Sequence, residues 1–123
     1  MSEILGIHHA SVLVSNTEAA VNFYVNILGL SIETSRPEMR FSGAWLNAGS
    51  QQIHLLELPN PDPVTDRPDH AGRDRHTALF VSGLGEILRR LKEANIPFTQ
   101  SRSGRSAAFF RDPDGNGVEL IER

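Results

Sequence analysis

The strongest constraint on this chain is that one pattern occurs in it twice. From His9 it reads His-Ala-Ser-Val-Leu-Val-Ser, and 67 residues later, from His76, it reads His-Thr-Ala-Leu-Phe-Val-Ser. Both runs open on His, close on Val-Ser and are rich in β-branched or large apolar residues, so both read as strands. The far ends match as well. Ala44-Trp45 precedes Ile53-His54-Leu55-Leu56 as Phe109-Phe110 precedes Val118-Glu119-Leu120-Ile121, and both Trp45 to Phe110 and His54 to Glu119 are offsets of 65.

Each leading strand runs into a helix. Ser15 with Glu18 has the capping-box pattern, Val21, Tyr24, Val25 and Leu28 follow at helical spacing, and Gly29 suits the left-handed residue that ends a helix. In the second copy Leu84, Leu88, Leu91 and Asn95 mark one face, with Ile87 and Ala94 beside it. Lys92 suits the C-terminal dipole, and Pro97 prevents continuation. Asp112-Pro113-Asp114-Gly115 is a strong turn signal, with Gly49-Ser50 its weaker counterpart. Between the copies, Pro59 to Arg75 carries four prolines and several aspartates and reads as a connection or a flap. The expected architecture is α+β: two βαβββ modules forming a cupped mixed sheet with helices on the outer face. The 123 residues form a single domain, with a module at 4–58, a linker at 59–73 and a module at 74–123.

Composition excludes several classes of function. A net charge of −3 with no basic run argues against a nucleic-acid partner. The absence of cysteine removes disulfides, thiolate metal sites and a Cys nucleophile. No apolar run is long enough to span a membrane, and Met1 to Gly6 shows no secretory pattern, so a cytoplasmic protein acting on a small molecule is expected.

Strand alternation then isolates the candidate chemistry. His9, His54, His76 and Glu119 are polar residues on the strand faces opposite the apolar helix-packing side, in equivalent places of the two copies. Polar groups on a buried face cost a few kcal/mol each unless satisfied, and a shared cation satisfies them together. Two imidazoles and a carboxylate suit a divalent ion such as Zn, Ni, Fe, Mn or Co, with positions open to substrate. His8 points away from His9 and is expected to be structural, and His70 lies solvated in the linker. Phe23 and Tyr24 are core residues, while Phe41, Trp45 and Phe109 either line the cup or join the core. Arg102 and Arg105 flank Gly104 in a hairpin loop, either solvated or forming an anion clamp.

The stretches Gly6 to Val14, Phe23-Tyr24 to Leu28-Gly29-Leu30 and Asp112 to Leu120 resemble the vicinal oxygen chelate superfamily, which includes glyoxalase I, extradiol dioxygenases, fosfomycin-modifying enzymes and bleomycin-resistance proteins. Ser42 to Leu46 and Ile53 to Leu56 are most similar to its small glyoxalase-I-like members. The resemblance covers essentially the whole chain. It implies His9, His76 and Glu119 as metal ligands, a small-molecule substrate that includes glutathione or other thiol adducts, and a homodimer whose sites are shared between subunits. In the glyoxalases a ligating Glu stands where this chain has His54, so His54 is a fourth ligand, a general base or a second-sphere donor. Glu119 and His54 are the candidates for moving a proton. The implied activity is metal-dependent and lactoylglutathione-lyase-like. The alternatives are an Fe(II) extradiol-type dioxygenase and a binding protein that confers resistance without turnover.

Overall fold

The computed structural model describes residues 1–101 and 105–123. Its strands are β1 (His9–Val14), β2 (Ser31–Glu33), β3 (Gly43–Ala48), β4 (Gln51–Glu57), β5 (His76–Val81), β6 (Thr99–Gln100), β7 (Ala107–Arg111) and β8 (Gly117–Glu122). They form two four-stranded sheets, β1-β4-β3-β2 and β5-β8-β7-β6. In each sheet the leading strand lies parallel to the last one and the other neighbours are antiparallel. This is the expected α+β arrangement of two cupped βαβββ units.

Helix α1 (Thr17–Val21) runs on as a π-helical stretch, Asn22–Ile27, and α2 spans Leu84–Glu93. The cap of α1 is Asn16 and not the expected Ser15. Asn16 is extended and its side chain accepts from the Ala19 amide at 2.8 Å. Ser15 is drawn elsewhere, its amide donating to Asp114 Oδ1 at 3.0 Å. Gly29, at φ +90°, ends this helix as expected. Asn95 lies beyond α2, not on its face: at φ 58° it supplies the left-handed turn that stops the helix, and Leu84, Ile87 and Leu91 form the buried stripe.

The repeat extends to a feature that composition does not reveal. Glu57 Oε1 accepts from the Thr17 amide at 2.7 Å, and Glu122 accepts from the Gly83 and Leu84 amides, both at 3.0 Å. In each half, the last residue of the parallel pairing, opposite Val14 or Val81, caps that half's own helix. One expected equivalence shifts by a residue. Trp45 pairs with His54, and Phe109, not Phe110, pairs with Glu119. The cause is the connection: β3 turns into β4 through Gly49 and Ser50, whereas β7 reaches β8 through Asp112 to Asn116, so one offset cannot serve both strand pairs.

The apolar sides of both sheets share one core with the helices, built on residues such as Phe23, Leu46, Leu55, Leu91, Phe110 and Leu120. The Phe23 and Phe110 rings meet at 6.0 Å across the two halves. Tyr24 reaches the same region, its hydroxyl donating to buried Asp112 Oδ2 at 2.8 Å. The proline-rich stretch is tied down. It holds a short 3-10 turn, Ala71–Arg73, and Arg67 grips Asp74 through two bonds of 3.0 and 2.6 Å. No helix among the described residues is long and apolar enough to cross a membrane.

Candidate metal centre

In the first sheet, β1 lies parallel to β4 with Ser11 opposite His54 and His9 opposite Gln52. His9 therefore stands two register positions from His54 on the same face. The imidazoles stack at 3.8 Å with an 11° tilt, and the Trp45 indole covers the other side of His54 at 4.4 Å and 6°. His54 is thus sandwiched and only 7% exposed, with Nε2–H donating to Gln52 Oε1 at 2.8 Å. Burial holds its pKa below the usual histidine value, and the nearby charges of His9, His8 and Arg36 act in the same direction. His8 departs from expectation: its Nδ1 lies 2.8 Å from His9 Nδ1, so it belongs to this cluster instead of facing away. The chain is still irregular at His8, because β1 begins only at His9, and strict alternation does not reach it.

The second sheet repeats the register. His76 lies opposite Gly117, and Ala78 lies opposite Glu119. His76 Nε2 is 3.1 Å from Glu119 Oε1, and His76 Nδ1–H donates to the Asp74 carbonyl at 2.8 Å. With Nδ1 committed to that carbonyl, Nε2 is the ring nitrogen turned toward Glu119. An imidazole nitrogen and a buried carboxylate oxygen this close can share a proton or, with the nitrogen deprotonated, a cation. Glu119 is 4% exposed, and its Oε2 accepts from Arg105 Nη2 at 2.7 Å. Asp74 is itself clamped by Arg67 and by Arg111, whose Nη1 donates to Oδ2 at 2.9 Å, and the Arg67 bonds above all hold its carboxyl well below the ordinary range. Phe109 forms the local floor, with the His70 ring at 4.8 Å and the His76 ring at 5.9 Å. His70 is therefore packed, and its Nδ1 accepts from the Gly72 amide at 3.0 Å.

The structure thus brings His9 to His54 and His76 to Glu119, as two pairs. It does not gather the four into one cluster: among the described residues no group of three His, Cys, Asp or Glu is placed to hold an ion. Trp45 and Phe109 occupy matching positions beside the pairs, whereas Phe41 instead lies under the Arg36 guanidinium. Arg102 lies outside the described residues, and Arg105 bonds Glu119 as given above. Sequence reasoning passed over Gln52 and Asp74, although both lie two residues from a candidate histidine, where alternation places same-face neighbours.

A family model for the Glyoxalase/Bleomycin resistance protein/Dioxygenase superfamily matches residues 6–120. The chain belongs to this superfamily. Glyoxylase I 4 of Arabidopsis thaliana is 30% identical over 123 residues, covering 95% of this chain and 70% of the plant protein. A lactoylglutathione lyase of Neisseria meningitidis serogroup A is 31% identical, covering 94% and 88% of the two chains. Among solved structures, a Bacillus anthracis protein assigned to the glyoxalase family superposes with a TM-score of 0.76 at 25% identity, covering 100% of this chain and 98% of that one. Superfamily members bind small-molecule substrates and typically use divalent metals, and lactoylglutathione lyases are among them.

Proposed function

We propose that this chain is a metal-dependent, glyoxalase-like enzyme acting on a small substrate with neighbouring oxygens, in the manner of a lactoylglutathione lyase. The observation that carries the proposal is the His76–Glu119 pair: a buried carboxylate facing an imidazole whose other nitrogen is anchored to a backbone carbonyl. His9, His76 and Glu119 are the proposed ligands. Their two-and-one division between sheets favours a homodimer in which the first sheet of one copy meets the second sheet of the other. The bound ion would supply Lewis-acid stabilisation of charge on two adjacent oxygens, as an enediolate requires.

His54 is proposed as a proton carrier and not as a co-ligand in its present rotamer. With the His9 and His54 rings parallel, an ion in the plane of one ring lies well off the plane of the other. Both lone pairs cannot then reach it at roughly 2.1 Å. Nε2–H is committed to Gln52, which leaves Nδ1 to accept, and the lowered pKa keeps the ring neutral at ordinary pH. Either His54 or Glu119 would take a proton from one substrate carbon and return it to the adjacent carbon, a net isomerisation that needs no oxidant.

The test is elemental analysis of the parent and of His9→Ala/His76→Ala, together with turnover of the hemithioacetal of methylglyoxal and glutathione. The parent should hold a divalent ion and turn the adduct over, and the double variant should do neither. Retention of both by the variant refutes the assignment. Oxygen uptake with a catechol would replace it with the dioxygenase reading, and binding without turnover would replace it with a sequestration reading, for which the Trp45–His54–His9 stack offers an aromatic surface.

A further inference from the structure

Residues 1–7, ahead of β1, are exposed throughout and make no hydrogen bond to any described residue. The segment is nevertheless apolar: Ile4, Leu5 and Ile7 leave 95%, 88% and 70% of their surface in water. Large apolar side chains gathered so closely on a surface mark a site that something covers. An open strand edge lies alongside. Among the described residues β5 pairs with β8 alone, and the whole of β5, His76–Val81, lines a groove of about 810 Å³. Ala10, Ile53 and Leu120 give that groove apolar walls, Ile7 stands at it, and Phe80, 67% exposed, is open to it. The charges are opposed. Glu3 is the one charged side chain in segment 1–7. Arg123, whose guanidinium lies 4.9 Å from the centre of the Phe80 ring, is the one side chain of fixed charge among the described residues lining the groove.

We infer that segment 1–7 of one copy adds as an extra strand to the free edge of β5 in a second copy, the exchange running both ways about a two-fold axis. An extended segment completes an open edge through its backbone, while its alternate side chains fill the flanking groove. At about 3.3 Å per residue the segment is long enough to span the six residues of β5. Its own β5 is a poor partner. Ser11 to Leu13 share a cavity with Arg75 to Thr77, so the chain ahead of β1 leads away beyond the Val81 end of β5. Turning back would use roughly 2–5 residues and leave too few to pair. Between copies the segment stays extended. One chain carries both an unpaired segment and an unpaired edge, so two copies satisfy each other and the assembly closes at two. The inference goes beyond the metal-centre reading, because the exchange needs no ion.

Sedimentation equilibrium of single and mixed chains tests the exchange, with thermal melting to confirm that each variant is folded. The parent should be a dimer, and Leu5→Asp should weaken its association at least about tenfold. Glu3→Arg and Arg123→Glu should each weaken it several-fold, because either change sets like charges against each other at both contacts. An equimolar mixture of those two variants should associate as tightly as the parent, since in the mixed pair each segment meets a groove of opposite charge. That recovery requires a contact between copies; docking within one chain would leave each variant mismatched in any mixture. A monomeric parent, single variants that associate as the parent does, or a mixture no tighter than its components overturns the inference. A parent with this segment-dependent dimer but no ion by elemental analysis refutes the metal-centre reading alone. An ion-holding parent indifferent to these changes refutes the exchange alone.

Discussion

His54 is held by ring faces on both sides and by one hydrogen bond in its plane, so changes there should alter chemistry more than folding. His54→Glu would bring the formal charge of an ion-loaded site from +1 to zero. We expect that variant to bind Co²⁺ at least several-fold more tightly and to gain turnover of the methylglyoxal–glutathione adduct, read by calorimetry and absorbance. At Asp112 the expectation concerns pH. Its carboxyl is 5% exposed, and burial raises its pKa although the side chains of Tyr24 and Asn116 and two backbone amides all donate to it. A raised folded value means that its stabilising contribution is complete below about 3.9, the unfolded value, and is lost as pH rises through the folded value. Denaturant midpoints of the parent and Asp112→Asn, measured from pH 3 upward, should shift in favour of the variant across that window and then run parallel. The residues proposed to carry chemistry were legible because polar side chains stood at repeated positions among apolar ones. The Trp45–His54–His9 stack was not, since alternation assigns a face but leaves each ring free to turn about its own bonds.

The capping carboxylates and the clamped connection decide how the elements stay in place. Glu122 serves two amides at the start of α2, and Glu57 serves one at the start of α1. Glu122→Gln should destabilise the fold by about 1 kcal/mol and Glu57→Gln by less, measured by urea denaturation. Arg111 joins Asp74, the Pro68 carbonyl at 2.5 Å and the Gly115 carbonyl at 2.8 Å, so one side chain fastens the connection to the β7–β8 turn. Arg111→Ala should lower thermal stability and also weaken Co²⁺ binding, because the Asp74 carbonyl that orients His76 loses an anchor. Strands, helices and the Asp112–Gly115 turn could be read from periodicity and turn residues. The tie from residue 67 through 74 to 111 could not, because proline and aspartate content describes a connection without showing which distant arginine meets it.

For the whole molecule the decisive fact is that the two candidate pairs lie on separate sheets. If a complete centre takes one sheet from each of two copies, His9→Ala and Glu119→Ala chains should both be inactive alone and should complement when mixed. Random reassortment makes about half of the dimers mixed, each with one intact centre, so activity should recover to about a quarter of the parent's. Recovery of none, with mixed dimers shown to form, would place the centre within a single chain.

Each half supplies the carboxylate that caps its own helix, and each keeps the same parallel register between its first and last strands. Neither half borrows these devices from the other. With that independence, side chains on the wall of one sheet can be exchanged without disturbing the strand register of the other sheet or the cap of its helix.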